Sequence, residues 1–535
     1  MPGSKDYILL DRLEIKSATN ANLNFSTIKP YSRRTVTREV EYIDSLVRNN
    51  DPNAPNLSEI DKYNMERFLM NNSEWSQPRE SYISKKPVLN ALYKTKGNMV
   101  EINNKDFFLA INPIIQYQQS FEKDNSQNVF LNSRGIAMRG VIDKKVGFNI
   151  YFTENQERAP LYVQRYIAAH RAVPGVGYYK TFKGAGGTDY FDIRGSLTWN
   201  VGKHIDMQFG YDKNFIGAGY RSLLLSDFSN SAVFLKINTR IWKFNYENLF
   251  MELTPDNKRS SDKLLPKKYF RMNHLSINAT KWLNVGLFDA VMFGRKDHFD
   301  FLYMVPVLFV RAAEQQLGSP DNALLGFDAK ANIAKKIQIY GQVALDEFKL
   351  SEIKAGNGWW ANKYAYQLGL KYVDAFGIKN LDLQLEDNRV RPFTYAHFDS
   401  VANYTHYNQP FAHPLGANFK ELIGILKYQP ITKLYLQAKM IYFKQGLDLN
   451  GRNFGSNPSV SYTTRVGNYG YEVGSGNKAT CMNANFLATY ELRENMFIDA
   501  NLQNRTYKTE VTGNQNTTVL SLGFRWNMAR RDFDF

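Results

Sequence analysis

The sequence predicts an all-β protein: a transmembrane antiparallel β-barrel of about 18 strands, preceded by a small helical region. Three observations carry this. From about residue 105 apolar side chains recur at every second position, in segments close to ten residues long. The connections between segments alternate between short turns and long loops rich in glycine and asparagine. No stretch suits a spanning helix, which requires about 20 apolar residues. The longest uninterrupted apolar run, Phe301–Val310, contains Pro306 and ends at Arg311.

Composition narrows the classes further. The 535 residues include 67 Lys and Arg against 51 Asp and Glu, a net charge of +16, with 33 Tyr and 36 Phe. Mean hydropathy is −0.44. A chain this rich in aromatic residues is not disordered. The single cysteine, Cys481, excludes an intrachain disulfide framework and a cysteine-rich metal site. No signal-peptide pattern is present: Tyr7–Leu10 is too short for the apolar region and Asp11 follows at once, so the chain reads as a mature form whose leader has been removed.

Residues 1–103 read as a helical and extended region facing the periplasm. Arg38–Arg48 and Ser58–Met70 are predicted helices. The second opens with Ser58 and Asp61 at capping-box spacing and places Ile60, Tyr63, Phe68 and Leu69 on roughly one side. Asp51–Pro55 is a turn-rich break, and Gln77–Pro87 an extended linker.

Residues 104–535 carry the barrel. Phe191, Ile193, Gly195, Leu197, Trp199 and Val201 alternate with Asp192, Arg194, Ser196, Thr198 and Asn200; Leu381, Leu383 and Leu385 alternate with Asp382, Gln384 and Glu386. A pleated strand sends successive side chains to opposite faces, so each segment has one apolar and one polar face. Segments start near 107, 134, 145, 190, 203, 232, 242, 271, 281, 323, 336, 363, 381, 420, 433, 484, 496 and 517. A soluble sandwich also alternates, but its strands are shorter and its turns do not sort by end. In lipid every backbone polar group needs a partner within the sheet, so the sheet must close, with apolar side chains outward and a polar interior. Tyr, Trp and Phe at the strand ends fit the interfacial girdles.

A barrel this wide holds water or a plug. Asp300–Leu317, with Pro306 at a helix start, is expected to form a short helix in or across the lumen, and 392–418 an ordered loop. Phe535 fits the terminal aromatic of barrel-insertion signals. The even parity of Leu520–Met528 breaks before Phe533, however, so either a bulge intervenes or the strand ends near Trp526 with a short tail.

Three stretches carry a family resemblance. Phe209-Gly-Tyr-Asp-Lys-Asn-Phe-Ile-Gly-Ala-Gly-Tyr-Arg-Ser-Leu-Leu-Leu-Ser-Asp227, with Ile241-Trp-Lys-Phe-Asn-Tyr246, resembles a segment of the Wzi-type capsule-assembly outer-membrane proteins and their Bacteroidota relatives. Thr405-His-Tyr-Asn-Gln-Pro-Phe-Ala-His-Pro-Leu-Gly-Ala-Asn-Phe419 is similar to a stretch in RemB-type gliding-motility members of that group. The resemblance implies an eighteen-stranded outer-membrane barrel closed by helices at its periplasmic end. It also implies a role in anchoring surface polysaccharide or in motility and secretion machinery.

No catalytic chemistry emerges, and the protein is read as a non-enzyme with no cofactor. Seven histidines include no His-Glu-x-x-His and no i, i+4 pair; His406 and His413, with Asp399 in the same loop, are candidate ligand contacts, but loop histidines satisfied by backbone are the favoured reading, and no metal site is assigned. Gly184–Gly187 lacks the Lys-Ser/Thr of a phosphate loop. Gly217 and Gly219 before Arg221 and Ser222 suggest an anion nest or a tight turn re-entering the barrel. Trp359 and Trp360 are the candidates for sugar contact, since a flat indole stacks on pyranose C–H faces; membrane-interface anchoring is the competing reading. The excess positive charge suits an acidic polysaccharide or lipopolysaccharide phosphate. Basic residues spread over many strands disfavour nucleic acid. A pore for anionic solutes or oligosaccharides is the alternative function.

Overall fold

The computed structural model describes residues 4–89, 91–182, 186–255, 264–306 and 309–535. Residues 184–185 of the glycine run and 307–308 of the predicted lumenal insertion lie outside them.

Eighteen antiparallel strands form one closed barrel. The first six are β1 (Phe107–Glu122), β2 (Val129–Ile142), β3 (Val146–Arg158), β4 (Gly187–Asn200), β5 (Ile205–Asp212) and β6 (Ala232–Ile241). Next come β7 (Phe244–Leu253), β8 (Lys268–Asn278), β9 (Leu283–Phe293), β10 (Asn322–Ile333), β11 (Ile337–Glu347) and β12 (Lys363–Tyr372). The last are β13 (Leu381–Val390), β14 (Phe419–Ile431), β15 (Leu434–Leu447), β16 (Asn477–Arg493), β17 (Met496–Thr509) and β18 (Gly513–Trp526). β18 closes the ring on β1, from Val519 opposite Glu122 to Trp526 opposite Ile115. Each strand thus pairs on both sides, and no ladder edge faces the surroundings.

Every predicted segment corresponds to a strand. The largest displacements are at β2 and β16, which begin at Val129 and Asn477, five and seven residues before the apolar alternation does (134 − 129 and 484 − 477). Both extra stretches lie at the long-loop end, where Val129-Phe130-Leu131 of β2 and Asn477-Lys478-Ala479-Thr480 of β16 do not alternate strictly.

The outward face is an apolar belt. Leu197, Phe209, Ile241, Leu287, Phe327, Leu368, Leu422, Phe486 and Leu520 are all exposed on it. The inward face is polar over much of the wall, with Gln116, Asn155, Gln342, Gln367, Asn388, Glu421, Asn483 and Gln503 buried in the lumen. One sector departs from the expected polar interior. Phe234, Leu249, Met251, Phe270, Met272, Phe288 and Met292 point inward and pack on Leu223–Leu225 of the 213–231 loop and on Tyr395, Tyr404 and Phe411 of the 391–418 loop. Here protein fills the lumen instead of water, so an apolar inner wall costs nothing.

Three helices occupy the short-turn mouth: α1 (Lys5–Ser17), α2 (Arg33–Arg48) and α3 (Glu59–Asn71). The capping box is formed, Ser58 Oγ accepting from Asp61 N and Asp61 Oδ2 from Ser58 N, each at 3.0 Å. Helix α1 was not expected from the sequence. It buries Arg12, Glu14 and Lys16 as well as Leu9, Leu10, Leu13 and Ile15. Leu9, Leu10 and Leu13 pack with Val40 and Ile43 of α2 and Met65, Phe68 and Leu69 of α3, while the polar side is buried as well, so the contrast between an apolar and a solvated face is weak.

Two insertions differ from expectation. The described residues of the 294–321 connection, with helix α4 (Val310–Gln316), lie against the outside of the barrel, where Tyr303 and Val310 pack on the outward-facing Tyr269, Val291 and Phe293. They do not enter the lumen. Phe535 does not sit on the lipid-facing side of a final strand. β18 ends at Trp526, the second alternative of the sequence reading, and residues 527–535 run up the lumen until Phe535 packs on Tyr166 and Phe228.

Candidate functional site

The lumen is occupied from both ends by segments tied to the wall through polar contacts. At the short-turn end Arg12 of α1 reaches Asp61 Oδ1 (2.7 Å), Asp374 Oδ1 (2.9 Å) and Asp382, while Lys16 bridges Asp61 and Asp374, each at 2.7 Å. Glu14 pairs with Lys330 of β10 (2.6 Å), Asp11 with Lys371 of β12 (2.7 Å), Arg67 with Glu491 of β16 (2.7 Å), and Glu74 with Arg139 of β2 (3.2 Å). These partners are spread around the ring, so the helices are fastened on many sides. Burial alone would raise the Asp61 carboxyl; Arg12 and Lys16 hold it far below the ordinary carboxylate range.

The plug and the long-loop end meet inside the barrel. Ile28 and Lys29, ahead of α2, pair antiparallel with Ile216 and Phe215 of the 213–231 loop, and Lys29 Nζ donates to Gly217 O at 2.7 Å. That loop is pinned above by Tyr395 Oη to Leu223 O (2.7 Å) and Tyr404 Oη to Leu224 O (2.6 Å).

Arg221 sits in this junction, buried. It pairs with Asp534 Oδ1 (3.1 Å) and Glu421 Oε1 (3.4 Å); Lys439 of β15 holds Asp534 Oδ2 (2.8 Å) and Asp532 (3.0 Å). Burial pushes the Asp534 carboxyl up, but Arg221 and Lys439 together bring it down to about 2. The sequence suggested an anion nest or a re-entrant turn at Gly217–Ser222, and both are present. The loop re-enters, and the backbone N–H groups of Tyr220 and Arg221 donate to the carboxylate of Glu386, at 2.7 and 3.0 Å. The nest is therefore filled by the protein's own anion. A Cβ at Gly219 would lie 2.5 Å from Glu386 Oε2, which explains the glycine there. Glu386, Lys439 and Asp534 were not singled out as site residues from the sequence; the signal there was that Glu386 and Lys439 lie on the polar face of their strands.

His406 and His413 share a loop but not a site. His406 Nδ1 accepts from Thr254 N (3.0 Å), its Nε2 lies 3.1 Å from Ser231 O, and burial pushes its imidazole down to about 4. His413 Nε2 contacts Glu421 Oε2 at 2.7 Å; burial lowers its imidazole against the pull of that carboxylate. Asp399 instead accepts from Val401 N at 2.9 Å. Both histidines fasten loops to the inner wall.

Trp359 and Trp360 stand in the long-loop rim and face different surroundings. Trp360 has the Arg465 guanidinium 4.0 Å over its ring and Tyr462 at 4.7 Å, so its faces are occupied. Trp359 is half-buried, with Lys349 Nζ 5.9 Å from its ring centroid and the Trp360 ring at 6.3 Å. Within the lumen a cavity of about 620 Å³ remains, lined among others by Arg194, Lys213, Arg530, Arg531, Asp192 and Asp532.

An apolar belt, a closed ring of eighteen strands and a lumen occupied from both mouths define a plugged transmembrane β-barrel. The fold is similar to that of Wzi, an outer-membrane protein involved in group 1 capsule assembly in Escherichia coli and described as a carbohydrate-binding β-barrel, with a TM-score of 0.59 at 12% identity over 98% of each chain. OprD of Pseudomonas aeruginosa (TM-score 0.42, 10% identity, 78% of this chain and 94% of that one) and OccAB2 of Acinetobacter baumannii (0.42, 8%, 78% and 98%) also match. No protein-family model matches the chain, and no curated protein matches it in sequence.

Proposed function

We propose that this protein is an outer-membrane scaffold that anchors surface polysaccharide, with its long loops outward and its helical plug toward the periplasm. The observation that carries this reading is the filled lumen. Segments from both ends meet at Ile28 and Ile216 and are held by buried ion pairs, an arrangement suited to a fixed platform and not to passage of solute. The Wzi-like fold over nearly the whole chain supports the glycan class, and the half-buried Trp359 in the long-loop rim, with Lys349 beside it, is the candidate stacking surface. The protein acts in this reading without catalysis or cofactor, and its partners are lipopolysaccharide and an acidic glycan. A place beside gliding or secretion machinery rests on the sequence resemblance of 405–419 alone.

Purified protein immobilised in detergent should retain acidic polysaccharide extracted from the native cell surface. Trp359→Ala should weaken that retention about tenfold, about 1.4 kcal/mol. Trp360→Ala should act mainly on loop stability, because its faces are already covered. Equal retention by wild type and Trp359→Ala would remove Trp359 from the site, and no retention by the wild type would remove the anchor reading. The pore alternative draws on the 620 Å³ lumenal cavity and its basic lining.

A further inference from the structure

The outer wall carries a polar patch where hydrocarbon is expected. On β7, β8 and β9 the outward positions Asn248, Asn273 and Asp289 form one row of directly paired residues, continued by Ile237 on β6 and by Leu325 and Leu345 on β10 and β11. The row two residues nearer the short-turn end, Tyr246, Leu275, Leu287, Phe327 and Val343, is apolar apart from one phenol. The row above adds Arg271. A side chain of this kind facing lipid costs several kcal/mol at mid-bilayer depth.

The patch is covered. Asp289 Oδ2 accepts from Val310 N at 2.6 Å, Arg271 Nε donates to Tyr303 O at 2.9 Å, and Asn248 and Asn273 bond to each other at 2.6 Å. The covering segment is itself locked, Arg295 and Tyr303 both reaching Asp321 at 2.6 Å. Its other side is apolar and open: Phe301 is 78% exposed, Phe309 56%, Val305 49% and Met304 44%. Exposed polar residues, Lys296–His298 before and Arg311, Gln315 and Gln316 after, bracket this apolar stretch.

We propose that the described parts of this connection, residues 294–306 and 309–321, form a membrane-inserted flap whose Phe301, Met304, Val305 and Phe309 contact the acyl chains of the outer leaflet, restoring the belt where the wall beneath is polar. The occupant is lipid because the flap's exposed side adds apolar surface to the belt that Leu287 and Phe327 form, and because exposed polar residues, Lys296–His298 and Gln315–Gln316, stand toward its two ends, while Arg311, next to the deep contact of Val310, is long enough to snorkel. This rests on the outer-membrane reading above.

The test uses the single cysteine. In a Cys481→Ala background, Phe301→Cys and Val305→Cys are labelled with a nitroxide, and the protein is reconstituted into phosphatidylethanolamine–phosphatidylglycerol vesicles. Leu287→Cys serves as the belt control and Val466→Cys as the loop control, with heat-modifiable gel migration confirming each barrel. Labels at 301 and 305 should be relaxed by oxygen and protected from a water-soluble nickel chelate, as at 287 and opposite to 466. Nickel access at 301 and 305 with protection at 287 overturns the flap while leaving the membrane reading intact. Protection from both reagents at 301 and 305 means that a second protein copy covers them, and also overturns it. Nickel access at 287 would overturn the membrane reading itself.

Discussion

Asp61→Ala should loosen the helical plug by about 3 kcal/mol, toward the lower end of the cost of leaving a buried ion pair half-made. Three effects combine. The carboxylate that Arg12 and Lys16 share disappears, and both cations stay buried with only Asp374 and Asp382 in reach. The capping box of α3 loses its reciprocal half, leaving Ser58 N without its acceptor. Asp61→Asn should cost less, since an amide oxygen still serves that N–H. The readout is limited proteolysis of residues 4–97 in the detergent-solubilised barrel. An opening equilibrium shifted by about 3 kcal/mol raises cleavage on the order of a hundredfold when reclosing is fast. The pH dependence follows from the same carboxyl. Its folded value is depressed, so its contribution is complete above the unfolded value of about 3.9 and is lost as pH falls through the folded value. Wild-type cleavage should therefore climb as pH drops below about 4, and Asp61→Ala should show a flatter rise over that window. Identical cleavage of wild type and Asp61→Ala at pH 7 would mean that the ring of other ion pairs holds the plug unaided.

The barrel was legible because one physical demand writes itself into the sequence eighteen times. Side chains alternate between hydrocarbon and a different interior, and the two ends of the strands meet different solvents. What failed to show were elements whose partners are neither lipid nor water. Helix α1 buries both its sides, Leu9, Leu10 and Leu13 against α2 and α3 and its charged residues against Asp374, Asp382 and Lys330 on the wall, so it shows little apolar–polar contrast. The strands beneath the 213–231 loop alternate poorly because Leu249, Met251 and Phe270 meet Leu223–Leu225 in a dry core. Asp300–Leu317 was expected in or across the lumen because a short helix between two strands carries no local mark of which side of the wall it covers; only the register, which turns Asn248, Asn273 and Asp289 outward, shows where its polar partners lie. Of the site, two of the stretches singled out by resemblance, 209–227 and 405–419, turn out to interlock: Ser226 N donates to Phe411 O at 3.1 Å, and the loop residues around them share one core. Their conspicuous residues, Arg221, His406 and His413, are fasteners. The partners that explain them are distant in sequence, Asp534 lying 313 residues from Arg221, and such a pairing leaves no local pattern.

The second large effect concerns conduction. Wild-type protein in a planar bilayer should be electrically silent, because an eighteen-stranded barrel conducts only where its lumen holds a continuous column of water. Here the column is interrupted at two levels. Below, α1–α3 are bonded to β2, β10, β12 and β16. Above, the 213–231 loop is latched by Arg221 to Asp534 and Glu421 and by the amides of Tyr220 and Arg221 to Glu386. Removing one barrier should leave the other, so Asp61→Ala alone should remain silent or show only brief flickers. Arg221→Ala leaves Glu421 and Asp534 buried with one cation fewer and should free the 527–535 segment and the loop together. The combination Asp61→Ala with Arg221→Ala should then give stepwise openings of porin size, with anions favoured because Arg194, Lys213, Arg530 and Arg531 line the space exposed. Heat-modifiable migration distinguishes an opened barrel from an unfolded one. Stable, anion-selective steps from the wild type would reverse the assignment: the lumenal cavity would belong to a conducting path, the loops and helices would be a constriction instead of a plug, and the pore for anionic solutes or oligosaccharides would displace the scaffold.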